Sequence, residues 1–291
     1  MATLEWTKGQ AIAGMAVLAG AAGFLLVAGV ARGGAAEAEG RAASLSIALP
    51  RPAPDRVWAA PGSEHRPLVV LDAGHGGTDP GAVSVSGQVS EKQLTLALAQ
   101  ELRDVLVERG RVRVAMTRDD DRYLTLDDRA AVARRLSAGL FVSLHMDSAP
   151  NPLARGATIY SLSDVASDEA TARFAAKENR GAIAEDSAAT TIRAMLADLA
   201  VRDQMNASAA LATRVVGKST GRFGLRPEPH RFAAFHVLRR VGTAAVLFEA
   251  GYISNADDEL LLRNPDHRRT IALALAQAIE ADVAMRSDGQ T

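Results

Sequence analysis

The chain has 291 residues, of which 48% are hydrophobic and 23% charged, and this composition excludes fibrous, disulfide-scaffold and wholly disordered proteins. Its 33 Lys and Arg residues balance 34 Asp and Glu residues, which leaves a formal net charge of -1. Such a chain lacks the global positive field that recruits nucleic acid, so we expect no nucleic-acid partner. Because the sequence contains no cysteine, thiolate catalysis and cysteine-containing zinc sites are excluded, and any metal must bind to His, Asp or Glu.

An uncharged stretch of 21 residues, Ala11–Ala31, lies between Lys8 and Arg32. Its length suits a helix that crosses a bilayer, which needs about 20 residues. Its moderate hydropathy and the A-x-A sequence at Ala36–Ala38 suit a cleaved signal peptide instead. We weigh residues 1–31 equally as a membrane anchor or a signal peptide, with a buried core helix as the less favoured third option. The first two both predict export to the periplasm or cell envelope, with attachment to the inner membrane if the segment is an anchor.

The rest of the chain alternates between strand-like and helix-like patterns after a linker. Residues 32–66 mix Ala, Gly, Glu and Pro without a sustained period, which predicts a disordered linker. Residues 67–285 form the predicted domain, and 286–291 a short tail. Strands are predicted at Leu68–Leu71, Arg111–Met116, Leu140–Leu144, Ala157–Leu162 and Ala244–Phe248, and helices from a Ser90/Gln93 capping box to Gly110, over Leu124–Leu136, around Leu261 and over Ile271–Val283. This alternation predicts a single α/β domain with a mixed, mostly parallel sheet flanked by helices on both faces.

Ionisable residues follow three of the predicted strands. His75 lies shortly after the first strand, His145 directly after the third and Glu249 directly after the last. Because ligands of open α/β sheets bind at the carboxyl ends of the strands, we expect these side chains to converge, together with Glu91 from a helix N-terminus. Two His and one carboxylate around a metal, with a second carboxylate as base, are a usual hydrolytic zinc site.

Each candidate also has an ordinary structural explanation. A lone His at a strand end is more often hydrogen-bonded or exposed than bound to metal, although the glycines around His75 would let the backbone approach an ion closely. Glu91 suits the positive end of a helix dipole. Asp72 could orient a ligating His or cap the glycine turn, and Arg118 could bind a substrate carboxylate or pair with Asp119–Asp121. The remaining histidines are interpreted as structural: His65, His230, His236 and His267.

The motifs around these residues resemble the zinc-dependent N-acetylmuramoyl-L-alanine amidases of the amidase type 3 family. The matching segments occur in the family's order: LDAGHGGTDPGA, SEKQLTLALAQEL, MTRDDDRYLTLDDRAAVA, LFVSLHMDSAPN, RGATIYSLS and AVLFEAGYISNADDELLL. The resemblance implies that His75, Glu91 and His145 bind one Zn²⁺ per chain and that Glu249 is the catalytic carboxylate. It implies cleavage of the amide between N-acetylmuramic acid and the L-alanine of peptidoglycan. Met146–Asp147 departs from the family's frequent Ala-Asn, which leaves the substrate contacts open.

Residues 163–217 are an insertion whose pattern predicts two helices separated by a polar stretch around Glu185. The insertion resembles that of cell-separation amidases, in which a helix covers the active site and a carboxylate occupies the zinc. Glu178 and Glu185 are the two candidates for that carboxylate. The resemblance implies autoinhibition, relief by a LytM-type activator protein, and a role in cell-wall turnover or daughter-cell separation. The alternative is that residues 163–217 are an ordinary solvent-exposed helical insertion without a regulatory role.

Two other functions are compatible with the sequence. One is a catalytically inactive peptidoglycan-binding or regulatory protein on the same fold, and the other is a zinc carboxypeptidase-like enzyme that acts on stem peptides. The presence of His75, Glu91, His145 and Glu249 favours an enzyme over the first. The masses of the products separate an amidase from the second.

Overall fold

The computed structural model describes residues 55–182 and 191–288, which form a seven-stranded mixed sheet with helices on both faces. The strands are β1 (Val57–Trp58), β2 (Leu68–Ala73), β3 (Arg113–Met116), β4 (Leu140–Asp147), β5 (Ala157–Leu162), β6 (Leu225–Ala233) and β7 (Ala244–Tyr252). The helices are α1 (Glu91–Arg109), α2 (Leu126–Arg135), α3 (Glu169–Glu178), α4 (Thr191–Ser219), α5 (His236–Arg240), α6 (Ala256–Arg263) and α7 (Pro265–Asp288). Within these two ranges, no helix combines the length and the hydropathy needed to span a membrane. The Ala11–Ala31 segment and the A-x-A sequence lie outside the described residues.

The strand order in the sheet is β1-β3-β2-β4-β7-β5-β6. Strands β3, β2, β4 and β7 run parallel to one another, β1 is antiparallel to β3 at one edge, and β5 is antiparallel to β7 but parallel to β6. The prediction of a mixed, mostly parallel α/β sheet is therefore confirmed. The carboxyl ends of β2, β4 and β7 lie side by side, which is the arrangement expected to gather their terminal residues.

The central strands are buried on both faces. In β2, Val69 and Leu71 pack into one core with residues of α1, α4 and α7, whereas Leu68 and Val70 pack into a second core with residues of α2, α3 and α5. Side chains alternate across a strand, so a strand covered on both faces needs apolar residues at every position. This requirement explains the continuous apolar runs in the sequence.

Residues 55–66, at the end of the predicted linker, belong to the domain. The prediction of a disordered linker over residues 32–66 is therefore wrong from Asp55 onward. Strand β1 pairs with β3, Trp58 opposite Val114. The guanidinium carbon of Arg103 lies 5.1 Å from the centre of the Trp58 ring, and Asp55 pairs with Arg135 at 2.8 Å. A strand of two residues shows no periodicity, so only these tertiary contacts reveal it.

Strand β6 and helix α5 were not predicted either. Strand β6 contains Pro227 and Pro229 and lies at the sheet edge, where a missing backbone donor is tolerated. Helix α5 is five residues long, too short for a helical period to appear. The insertion contains the two predicted helices, α3 and α4, while the polar stretch with Glu185 lies outside the described residues.

Candidate metal centre

The glycine loop after β2 lies against the end of β4. The Gly74 N–H donates to the Leu144 carbonyl at 3.0 Å, and a Cβ at Gly74 would lie 2.4 Å from Cε1 of His145. Only glycine therefore allows this approach. His75 follows with φ 58°, a left-handed conformation that is uncommon for a residue with a side chain. Its carbonyl accepts from the Arg129 guanidinium at 2.7 Å, which helps to hold that conformation.

Four donor atoms from four elements face one another at this point. Glu91 Oε1 lies 3.1 Å from His75 Nε2 and 3.0 Å from His145 Nδ1. Glu178 Oε2 lies 3.9 Å from the same His75 nitrogen and 3.6 Å from the same His145 nitrogen. Ligands at about 2.0–2.1 Å from a tetrahedral zinc are about 3.3 Å apart. The two Glu91 contacts are close to this spacing and the two Glu178 contacts are slightly wider, so these side chains could hold one metal ion.

The tautomer of His75 also fits a metal ligand. Nδ1 lies 2.8 Å from Asp79 Oδ2, so it is assigned as the N–H donor and Nε2 carries the lone pair. Nε2 is buried and has no hydrogen-bond partner in the described part of the chain. Burial disfavours the protonated ring, but the contact with Glu91 and the charges of Glu91 and Glu178 outweigh it and raise the pKa of His75 to about 9. The site thus favours a positive charge between these carboxylates.

Glu91 is fixed by backbone donors as well as by the two imidazoles. It is 2% exposed, and its carboxylate accepts from the backbone N–H groups of Ala82 at 2.9 Å and Met146 at 3.1 Å. Burial opposes its ionisation, but the hydrogen bond with His145, the close contact with His75 and the charges of both rings lower its pKa. A Cβ at Gly81 would lie 2.6 Å from Glu91 Oε2. The negative form of Glu91 is therefore built into the fold.

Glu249 lies opposite His145 in the β4–β7 register and opposite Thr158 in the β7–β5 register. It is 1% exposed, and neither its Oε2 nor the Thr158 hydroxyl has a hydrogen-bond partner within the described ranges. Burial, reinforced by the charges of Asp147 and Glu91, raises its pKa well above the ordinary value. A buried carboxyl group with a raised pKa beside a metal centre is suited to proton transfer.

Helix α3 covers the centre, and Glu178 is its last residue. The ring of Phe174 lies 5.1 Å from that of Tyr160 and 5.7 Å from that of Phe235. After the helix, the Asn179 side chain donates to the Ala234 carbonyl at 2.7 Å and accepts from the His236 N–H at 2.7 Å. Contacts on both sides of Glu178 thus hold its carboxylate at the two histidines.

The structure places Asp72 and Arg118 beneath the glycine loop. Asp72 accepts hydrogen bonds from Arg129, Thr117 and Ser143 at 2.7–2.8 Å and none from a candidate ligand. Arg118 is fully buried and donates to backbone carbonyls of the glycine loop, of Lys92 and of Asp120. Arg118 is therefore not available to a substrate, and it contacts the backbone rather than the side chains of Asp119–Asp121.

Sequence reasoning missed Asp79 and Arg129. Asp79, four residues after His75, makes the contact with imidazole that was considered for Asp72. Arg129 is buried on α2 and joins Asp72 to the loop carbonyls at Ala73 and His75. An Asp in a glycine-rich loop was a usable signal, whereas nothing in the local pattern marks Arg129. Three other histidines make side-chain contacts outside the centre. His230 contacts Ser161 and Phe232, His236 contacts Asp127, and His267 contacts Phe223.

A cavity of about 660 Å³ includes the centre, and its lining contains His75, His145 and Glu178 together with Val83, Tyr123 and Lys177. The arrangement can bind a metal ion, hold a carboxyl group next to it and admit a sizeable substrate.

Comparisons with known proteins identify the family of the chain. The Amidase_3 family, described as N-acetylmuramoyl-L-alanine amidase, matches residues 69–281. N-acetylmuramoyl-L-alanine amidase AmiA of Escherichia coli (strain K12) is 34% identical over 217 residues, which are 73% of this chain and 74% of that protein. The corresponding AmiC of Neisseria meningitidis serogroup B is 33% identical over 220 residues, 74% of this chain and 52% of its own length.

A solved structure shows the same fold. The catalytic domain of CwlV, an N-acetylmuramoyl-L-alanine amidase from Bacillus (Paenibacillus) polymyxa var. colistinus, matches with a TM-score of 0.53 at 28% identity and covers 73% of this chain and 96% of its own. The chain therefore belongs to the N-acetylmuramoyl-L-alanine amidase family, whose activity is hydrolysis of the amide bond between N-acetylmuramic acid and L-alanine in peptidoglycan.

Proposed function

We propose that this amidase depends on zinc and that its own Glu178 closes the metal centre until helix α3 is moved. The observation that carries the proposal is the group of four donor atoms, in which the Glu178 carboxylate lies 3.6 Å from His145 and 3.9 Å from His75. One donor atom each from His75, His145 and Glu178 lie within 4.8 Å of one another. Two imidazoles and carboxylates are the ligands that zinc takes when no thiolate is present.

His75, Glu91 and His145 would hold the ion. Different contacts position the three residues. Asp79 orients His75, backbone N–H groups hold Glu91, and Gly74 packs against the ring of His145. Such contacts fix ligand orientation before any metal is bound. Bound zinc would polarise the scissile carbonyl and lower the pKa of a water molecule to about 7.

Glu249 would carry the proton. Its buried Oε2 has no hydrogen-bond partner among the described residues, so it is free to accept a proton from the attacking water. Its raised pKa means that the protonated form persists long enough to be passed to the nitrogen of the leaving L-alanine. Glu249 lies opposite His145 in the β4–β7 register, which supports a role for Glu249 in proton transfer beside the proposed ligands.

Glu178 would block both events. With its carboxylate against His75 and His145, Glu178 would keep water and a substrate carbonyl away from an ion held by those residues. Opening requires displacement of α3, which buries Thr171 and Ala175 and packs Phe174 between two aromatic rings. A LytM-type activator would open the site by binding more tightly to the displaced state than to the closed state.

The proposal includes a place of action. The substrate is cell-wall material, and an N-terminal signal peptide or anchor at Ala11–Ala31 would deliver the domain to the periplasmic side of the membrane. Autoinhibition suits an enzyme that acts only when and where the wall is to be opened. We therefore propose a role in wall turnover or daughter-cell separation.

Mass spectrometry of the soluble products tests the reaction. The full chain and its Glu178→Gln variant are each incubated with purified peptidoglycan and added zinc, and we expect free stem peptides that begin with L-alanine, released slowly by the full chain and faster by the variant. His75→Ala should bind less zinc and release none. Products that lack the intact L-alanine end, or release by His75→Ala equal to that of the parent, would contradict the zinc amidase.

The variant Glu178→Gln tests the closure separately. It removes the charge that occupies the fourth position, so the basal rate of stem-peptide release should rise by about tenfold or more. Glu169→Gln is the matched control, since Glu169 lies at the other end of α3 with its side chain 80% exposed. An unchanged or lower rate in Glu178→Gln with normal zinc content would refute autoinhibition and leave the amidase intact.

A further inference from the structure

The loop between β3 and α2 displays a tyrosine beside the catalytic cavity. Tyr123 is 53% exposed, the highest exposure of any aromatic side chain in the described ranges, whereas Tyr160 and Tyr252 are 2% and 3% exposed. Tyr123 lines the same cavity as His75 and His145. A large ring that remains in water gains little from packing in the fold, so its position at this cavity points to a ligand.

The loop that carries the ring is held rigidly. Asp121 accepts from the Gly77 N–H at 2.8 Å and from Lys92 Nζ at 2.7 Å. Gly77 packs so closely on this loop that a Cβ there would lie 2.6 Å from the Tyr123 nitrogen. On the other side, Thr125 caps helix α2 through Asp128. A ring on a fixed loop loses little conformational entropy when it binds.

The substrate carries a sugar ring close to its scissile carbonyl. In N-acetylmuramoyl-L-alanine only three bonds separate the scissile carbonyl carbon from the sugar ring that carries the lactyl ether. When that carbonyl lies at the metal centre, the ring must therefore lie within side-chain reach of it, and the stem peptide leaves on the other side.

The cavity lining contains both apolar and cationic side chains. The loop that carries Tyr123 contributes Leu124 and Leu126, whereas Lys177 and Arg180 come from the end of helix α3 and the residues after it. Apolar side chains beside the ring suit an uncharged sugar, and the two cations suit the carboxylates of a stem peptide.

We propose that Tyr123 is the platform on which a sugar ring of the glycan strand stacks, and that it determines the preference for glycan-linked over glycan-free substrate. The inference rests on the proposed metal centre, which fixes where the carbonyl lies. The C–H face of a pyranose ring packs on an aromatic face in the same way as other apolar groups. The phenol hydroxyl is not needed for this contact, so Tyr123→Phe should preserve it.

Binding of peptide-free glycan fragments tests the platform without catalysis. The probe is the N-acetylglucosamine–N-acetylmuramic acid disaccharide repeat, titrated against the full chain. Tyr123→Ala should raise the dissociation constant by about threefold to tenfold, Tyr123→Phe should stay within about twofold, and Leu153→Ala, at an apolar side chain 79% exposed elsewhere, should match the parent. Equal binding by the parent and Tyr123→Ala, or no binding by the parent, would overturn the proposal.

A pair of substrates separates stacking from a structural role. We expect kcat/KM of Tyr123→Ala to fall by about threefold to tenfold on a muramoyl peptide, chiefly through KM, and to stay unchanged on a lactoyl peptide that lacks the sugar. An equal loss on both substrates would overturn the platform. Inactivity of the zinc-loaded Glu178→Gln variant on both substrates would instead overturn the proposed function, and the binding titration would still decide the role of Tyr123.

Discussion

The floor of the active site and the helix that covers it are built differently. The floor consists of strand ends and the start of α1, where Glu91, His145 and Glu249 are 1–7% exposed. Sheet register positions His145 and Glu249, and backbone hydrogen bonds position Glu91. The cover is α3, which buries two residues and is held by Phe174, Asn179 and its N-cap. The difference favours a fixed floor and a cover that can be lifted, as the proposed closure requires. Changes in the floor should therefore cost activity or stability, and changes in the cover should release activity.

The largest effect is expected at Glu249 in the floor. Glu249→Gln keeps the shape of the side chain but cannot accept the proton, so the rate of stem-peptide release should fall by about 10² to 10⁴. Zinc content should equal that of the parent, because Glu249 is not among the proposed ligands. Initial rates and metal analysis of the same samples check both points. A variant that keeps at least a tenth of the parent rate would show that another group moves the proton.

The second effect concerns the stability of the floor. Arg129 and Asp72 form a buried pair at 2.8 Å, with side chains 5% and 1% exposed. Arg129→Leu leaves the Asp72 carboxylate buried without its countercharge, which should lower the free energy of unfolding by about 3–5 kcal/mol. Burial alone raises the pKa of Asp72, and the Arg129 charge with three hydrogen bonds keeps it low. The double variant with Asp72→Asn should therefore recover part of the loss in urea unfolding, and a double variant no more stable than Arg129→Leu would contradict this.

A smaller effect is expected in the cover. Asn179→Ala removes two hydrogen bonds, to Ala234 and from His236, each of which contributes about 1 kcal/mol. The displaced state of α3 should become more populated, and the basal rate should rise by about fivefold to tenfold. The control is Asn151→Ala, since Asn151 accepts from Leu153 within its own loop. A fall in basal rate in Asn179→Ala would show that α3 supports the active site instead of blocking it.

The smallest effect concerns the start of α3 and depends on pH. The Thr171 backbone N–H, the Thr171 hydroxyl and Arg231 lower the pKa of Asp168 to about 2, below its unfolded value of about 3.9. The stabilisation is therefore complete above about pH 4 and is lost as pH falls towards 2.

Since the Asp168 side chain is 45% exposed, solvent screening should keep the contribution below about 1 kcal/mol. The difference in urea midpoint between the parent and Asp168→Asn should be constant from pH 6 to about pH 4 and shrink at lower pH. A difference that grows as pH falls would contradict the assignment.

The sequence predicts those parts of the molecule that depend on local pattern. Strands buried on both faces produce apolar runs, and strand ends identify His75, His145 and Glu249. Glu91 lies at a helix start, where the helix dipole is a sufficient explanation, and the family resemblance was needed to favour a ligand role. The partners that orient these residues depend on tertiary contacts. For that reason Asp79 was missed in favour of Asp72, and Arg129 carried no signal.

The choice between the two blocking candidates shows the same limit. Glu178 and Glu185 have equal standing in the sequence, since both lie in a charged stretch of the insertion. In the structure the end of α3 brings Glu178 to the histidines, and this follows from Phe174 and Asn179 packing on β5 and α5. The roles of Glu178 and of the proposed ligands remain proposals that rest on that geometry.

The central claim is that zinc lies between His75, Glu91, His145 and Glu178 in the resting protein. A crystal of the zinc-loaded full chain, with anomalous differences measured at the zinc edge, tests it most directly. We expect a single anomalous peak in contact with all four side chains in the parent, and in Glu178→Gln a peak at the same place with solvent in the fourth position. A peak elsewhere, or one ligated by the other three residues while Glu178 points away, would contradict the proposed zinc site.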